Sequence, residues 1–173
     1  VTENSAKMLV MLGQRFACVK ISGRANFTSS IDFKALLNEL QLEGFHYFVL
    51  DLAKCQLMDS TFLGVLAGFG LKLNRGEDDC TSGIELLNPN PRIVDLLESL
   101  GVLHLFRISH GVTELPGQTE PRDRAPVTAS RTEITRACLE AHQTLMDINA
   151  ANVPKFKEVT QFLTEKLKSS KTS

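Results

Sequence analysis

The chain has 173 residues, 43 % of them apolar. That is enough for one packed domain with an extension, and it excludes global disorder. Its 19 basic and 20 acidic residues give a formal charge of −1, so the strong positive field of a general nucleic-acid binder is missing and no direct nucleic-acid partner is expected. No run approaches the roughly 18 apolar residues of a membrane span, and no secretory leader is evident. Cys18, Cys55, Cys80 and Cys138 are widely spaced, without a CxxC pair. These features predict a reduced, cytoplasmic protein with no transmembrane segment and no disulfide framework.

Lys7 to Leu12 and Arg15 to Ser22 are predicted strands around a turn at Gly13-Gln14, with Phe16, Cys18, Val19 and Ile21 mostly buried. Ser29 followed by Asp32 has the spacing of a capping box, and Phe33, Leu36, Leu37 and Leu40 then recur at helical spacing as far as Gly44. His46 to Leu52 is a largely apolar strand, and a sheet with helical crossovers on both faces suits it best. The next helix is predicted over Ser60–Arg75, with Asp59 or Ser60 as its cap. Gly64, Gly68 and Gly70 lower its intrinsic propensity, so close tertiary packing has to support it. Glycines inside a helix do not make a phosphate loop, which needs them in the preceding turn.

Glu77-Asp78-Asp79 is predicted as an exposed turn, and Gly83 to Leu87 as a strand. Asn90 caps a further helix with Pro91 at its first position. Ile93, Val94, Leu96, Leu97 and Leu100 form its packing face before Gly101 ends it. Leu103 to Ser109 returns to extended chain. The order ββαβαβαβ makes an α/β fold the best physical solution.

Pro116, Gly117, Pro121 and Pro126 then punctuate a polar linker, 112–127, which separates a domain over 1–111 from a helical extension over 128–173. Thr128 or Ser130 begins the first of two helices there, and Ser130 with Glu133 has capping-box spacing. Ile134, Cys138, Ala141, Leu145 and Ile148 share one face. After a break at Asn152-Val153-Pro154, Phe156, Val159, Phe162, Leu163 and Leu167 form a second apolar set. Helices of this length need a partner surface. They either fold back on the first domain or form an association surface, a homodimer among its uses.

Residues Met8 to about Gly111 resemble the STAS domain of anti-sigma factor antagonists. The likeness runs through the early strand pair, Val49-Leu50-Asp51-Leu52, Met58-Asp59-Ser60-Thr61, Leu63-Gly64-Val65-Leu66, Leu86-Leu87-Asn88, Leu97-Glu98-Ser99-Leu100-Gly101 and Leu105-Phe106. The resemblance implies a STAS-like mixed β-sheet with helices packed beside it and no enzymatic activity. It also implies a regulatory role in transcription. In such proteins the unmodified form binds an anti-sigma factor, a histidine-kinase-like serine/threonine kinase, and frees a sigma factor. Phosphorylation of the second hydroxyl after the Asp disrupts the complex, and a phosphatase restores it. That position is Thr61 here, with Ser60 the second choice.

Phe62 departs from the family pattern, which has glycine after the second hydroxyl. Its ring either turns inward as a core residue or stands on the surface and selects a different partner. Arg24 and Asn26, in the loop expected after the second strand, are further candidates for the partner surface beside Asp59, Ser60, Thr61 and Phe62. A phosphorylation-independent scaffold or transport-associated module is the alternative function.

No catalytic set emerges. Cys55 lacks a histidine partner, and Asp51 and Asp59 have no spacing that establishes acid–base work. His46, His104, His110 and His142 lack metal-ligand spacing and are expected at core edges or on the surface. No cofactor or metal is predicted.

Overall fold

The computed structural model of the chain describes residues 5–74, 81–112 and 127–172. The predicted turn at Glu77-Asp78-Asp79, Cys80 and the prolines of the linker lie outside them, while the second helix, expected as far as Arg75, ends at Leu73 with Asn74 as its C-cap. Six strands form one sheet: β1 (Lys7–Leu12), β2 (Phe16–Ala25), β3 (Tyr47–Asp51), β4 (Cys55–Met58), β5 (Gly83–Leu87) and β6 (Arg107–Ser109). Their order is β1-β2-β3-β5-β6, with β4 paired to the far end of β2. β1 runs antiparallel to β2, in register at Val10 and Val19, and every other pairing is parallel. The fold is thus a mixed β-sheet with flanking helices, plus two C-terminal helices.

Between the strands run α1 (Phe27–Leu42), α2 (Ser60–Leu73) and α3 (Pro91–Ser99). Their faces follow the predicted periodicities: Phe33, Leu37 and Leu40 of α1 and Phe62, Leu63 and Leu66 of α2 are buried with Phe48 and Leu50 of β3. The opposite sheet face carries a smaller cluster of Cys18, Val49 and Leu87, with Met11, Phe16 and Tyr47 packed against it. Both covered faces of β3 explain its near-continuous apolar run. Burial pushes the Cys18 and Cys55 thiols up to about 11, so both stay protonated near neutral pH.

Four local features differ from the sequence reading. β4 at Cys55–Met58 is a further strand that the order ββαβαβαβ lacks, formed by pairing with the end of β2. β2 extends to Ala25, so Arg24 is a strand residue opposite Leu57 and not part of a loop. α1 starts two residues before Ser29: Asn26 is its cap, accepting from the amides of Thr28 and Ser29, while Ser29 Oγ accepts from the Asn26 amide. The Leu103 to Ser109 stretch opens with a 3-10 turn at Leu103–Leu105 before β6 begins.

β4 is the element that positions the candidate site. β2 pairs with β3 along its first half, shifts register between Gly23 and Arg24, and pairs with β4 at its end. The Asn90 side chain holds β4 from below: its amide donates to the carbonyls of Cys55 and Gln56, and its oxygen caps α3 at Ile93. The ends of β2 and β4 are therefore adjacent, and α1 and α2 begin side by side.

The C-terminal helices are α4 (Arg131–Ile148) and α5 (Val153–Ser170), joined through a 3-10 turn at Ala150–Asn152. Ser130 and Glu133 close the predicted capping box on α4. α4 packs mainly on α2 and touches α1, and α5 packs on α4. Ala141 and Leu145 of α4 are buried, and Leu145 joins the main core.

Candidate functional site

Asp59 organises the site before it does anything else. Its amide donates to the Ala25 carbonyl, its Oδ1 accepts from the Phe62 amide at 2.8 Å, and its Oδ2 accepts from the Phe27 amide at 2.7 Å. One carboxylate thus serves the first turns of α1 and α2, where unpaired amides and the helix dipoles favour negative charge. Ser60 and Thr61 occupy the first two helical positions behind it.

Arg24 is exposed and Asn26 half-buried beside this junction. Phe62 turns inward: its ring is fully buried, 4.9 Å from the ring of Phe33. Its ring therefore faces the core and is not presented to a partner. Arg24, Asn26, Asp59, Ser60 and Thr61 are brought to one end of the sheet, where β2 and β4 finish.

The hydroxyls are covered by α4. Thr61 is 5 % exposed, and its side chain lies beside the Cys138 thiol, whose pKa burial raises and Thr61 partly lowers. Ser60 Oγ lies 2.8 Å from Nε2 of His142. The Nδ1 atom of His142 is 2.7 Å from the Cys138 carbonyl, which can only accept, so Nδ1 carries the proton. In the neutral ring Nε2 is then an acceptor, and the Ser60 hydroxyl donates to it. The ring also packs at 4.9 Å against Phe156 of α5.

His142 was placed only at a core edge or surface by spacing, and its link to Ser60 was missed. The available signal was its place beside Ala141 on the helix face that carries Cys138 and Leu145. Among the described residues no group of His, Cys, Asp and Glu has the arrangement of a metal site.

Gly64 sets how close α4 comes. A Cβ at this position would lie 2.4 Å from the Ala141 carbonyl oxygen, so only glycine permits the two backbones to meet there. Gly70 plays a similar part toward the ring of Phe106, at 2.8 Å. The glycines point to close tertiary packing, with helix against sheet as the expected form; at Gly64 the approach is helix against helix instead.

Burial lowers the pKa of His142 from its ordinary value of 6.5, and its bond to the Cys138 carbonyl and the charge of Asp59 only partly offset that. A histidine whose folded pKa is depressed adds stability above its unfolded pKa, and that stability is lost as pH falls through the folded pKa. The expected result is a drop in the unfolding midpoint below about pH 6.5 that is smaller in His142→Gln. Thermal unfolding of both proteins between neutral and mildly acidic pH measures it, and parallel curves would sink the assignment.

The STAS domain family model matches residues 13–115. Among solved structures, an anti-sigma factor antagonist from Mycobacterium paratuberculosis aligns with a TM-score of 0.53 at 18 % identity, over 62 % of this chain and 87 % of that one. The anti-sigma factor antagonist SpoIIAA in its unphosphorylated form aligns with a TM-score of 0.51 at 15 % identity, over 64 % and 90 %. At such identities the likeness speaks to the fold. A search of curated proteins finds no match. No helix among the described residues is long and apolar enough to cross a membrane. With more than half of its length matched, the chain belongs to the STAS domain family.

Proposed function

We propose that the chain is a regulated binding module of the anti-sigma-factor-antagonist type. Its partner is a kinase-like anti-sigma factor, the contact surface is the β4–α2 junction with Arg24, Asn26, Asp59 and Ser60, and phosphorylation of Thr61 ends the complex. Ser60 is the second-choice acceptor, and a phosphatase resets the switch. Phe62 acts on this surface from beneath, by seating the first turn of α2 in the core. The observation that carries the reading is the pair of hydroxyls in the first turn of a helix whose cap, Asp59, also serves α1.

The physics favours a switch of this sign. A phosphoryl group brings roughly −1.5 to −2 charge, which the amides at a helix start can accommodate within the domain. The same charge at a tight protein interface demands space and desolvation, and Asp59 two residues away adds repulsion toward an acidic partner. A second reading, a phosphorylation-independent scaffold or transport-associated module, draws on the cover over Thr61 and the Ser60–His142 bond. A homodimer through the C-terminal helices would use α5, because α4 spends its apolar face on α2, whereas α5 exposes Val159 and Phe162.

Partner capture from the source cells with the native chain, Thr61→Ala and Thr61→Glu tests the switch. Retention by Ala and a loss of at least about tenfold by Glu are expected from the added charge. Mass spectrometry of the peptide spanning Ser60 and Thr61 identifies the acceptor. Equal capture by all three proteins, with no modified peptide, favours the scaffold.

A further inference from the structure

The two ends of α4 are held in different ways. Its C-terminal end is anchored in the domain by the buried Leu145 and by the turn that follows. There Asn152 Nδ2 donates to the carbonyls of Leu100 at 2.9 Å and Leu145 at 2.8 Å, and Lys155 Nζ donates to the Ser99 carbonyl at 2.9 Å. The bonds to Ser99 and Leu100 finish the end of α3 and the bond to Leu145 that of α4, since the last carbonyls of a helix have no partners within it.

The N-terminal two-thirds of α4, from Arg131 to His142, meets the domain through a polar seam and one close backbone approach, Ala141 on Gly64. Ser60 faces His142 and Thr61 faces Cys138. Beside them a cleft of about 220 Å³ separates α4 from α1 and α2, lined among others by Lys34, Gly68, Lys72, Ala137 and Glu140. Across it Lys34 pairs with Glu140 at 3.2 Å, both side chains about half exposed at 47 % and 51 %. The approach to α4 is held by the Val127 amide on the exposed carboxylate of Asp32. Exposed pairs of this kind contribute little to stability. Of the buried residues in this part, Thr135, Ala141 and His142, only Ala141 is apolar, so beyond the Gly64–Ala141 approach the seam is held by polar contacts, and a polar seam above an apolar anchor is the makings of a hinged element.

We infer that the segment Arg131–His142 is a hinged cover that swings on its anchored end at Leu145–Lys155, closing over Ser60 and Thr61 and competing with a protein partner for the start of α2. In the closed form the Thr61 hydroxyl is inaccessible to a kinase. In the open form both hydroxyls and Gly64 are free, and the lifted segment frays because an isolated helix of that length is marginal in water. The competition rests on the reading of the α2 start as the partner surface, whereas the hinge stands apart from it.

Hydrogen exchange of the full chain, read by mass spectrometry, tests the hinge without any partner. The amides of Arg136–His142 are expected to exchange at least about tenfold faster than those of Leu145–Ile148 and of β3. Gly64→Ala puts a Cβ against the Ala141 backbone and should raise that rate about tenfold again, while β3 is unchanged. A single common rate for α4 and β3 in the native chain overturns the hinge. Should Gly64→Ala speed β3 equally, His142→Ala decides: a rise confined to Arg131–His142 supports the cover, and any other pattern sinks it. The capture experiment with Thr61→Glu reports on the phosphoswitch alone, so each idea can fail without the other.

Discussion

Phe62→Ala is expected to lower the unfolding free energy by about 3–5 kcal/mol, the range for truncating a fully buried aromatic. The ring is fully buried and stacks tilted at 4.9 Å on Phe33, which itself meets Phe69 edge-on at 6.1 Å. Removing it leaves Phe33 facing a void at the joint between α1 and α2, and rigid helices on a sheet collapse into such a space only in part. Phe62→Gly should cost a further 1 kcal/mol or so through helix propensity. Urea denaturation of the three proteins measures the series. A loss under about 1 kcal/mol for Phe62→Ala would show that the position is not core. The departure at Phe62 therefore bears on packing, and the hydroxyls before it keep their backbone geometry.

The parts of this fold that were legible in the sequence are those set by local chemistry. Asn90-Pro91, Asp59 and the Ser130–Glu133 pair each name a helix start, because a short acceptor or a missing amide acts within one turn. β4 escaped notice for the opposite reason. Its four residues alternate imperfectly between buried and exposed, and it is a strand only because the end of β2 lies beside it. The start of α1 was placed too late because Ser29 looks like a cap, yet it closes the box of Asn26 from inside the helix. Phe27, the first helical residue, is exposed and gives no periodic cue.

The site divided along the same line. Asp59, Ser60 and Thr61 are contiguous, and their role at a helix start follows from spacing. The Ser60–His142 bond joins residues 82 apart in sequence and depends on how two helices cross. Gly64 announces a close approach, although nothing in its spacing says that the approaching backbone is α4 at Ala141, and Gly68 makes only ordinary contact with Thr144.

Asp59→Ala should destabilise the chain by about 1.5–3 kcal/mol, and Asp59→Asn by roughly half as much. The arithmetic follows from the two bonds. Oδ1 serves the half-buried Phe62 amide, where loss of a cap costs about 1–2 kcal/mol, and Oδ2 serves the Phe27 amide, which water can partly satisfy. Asparagine keeps one acceptor but turns an amide nitrogen toward the other donor, so one of the two starts is left uncapped. Alanine frees both. Because one carboxylate joins α1 to α2, exchange should quicken at the first amides of both helices while β2 and β3 keep their protection. A change confined to α2 would assign Asp59 to a single cap, and the tie between the two helices would fall. The sign of the effect on Thr61 follows as well. With Asp59 removed, a negative charge at Thr61 meets less repulsion, so Thr61→Glu should cost less stability in the Asp59→Ala background than alone. A double-mutant cycle measures that coupling, expected at about 0.5–1 kcal/mol for like charges on neighbouring residues.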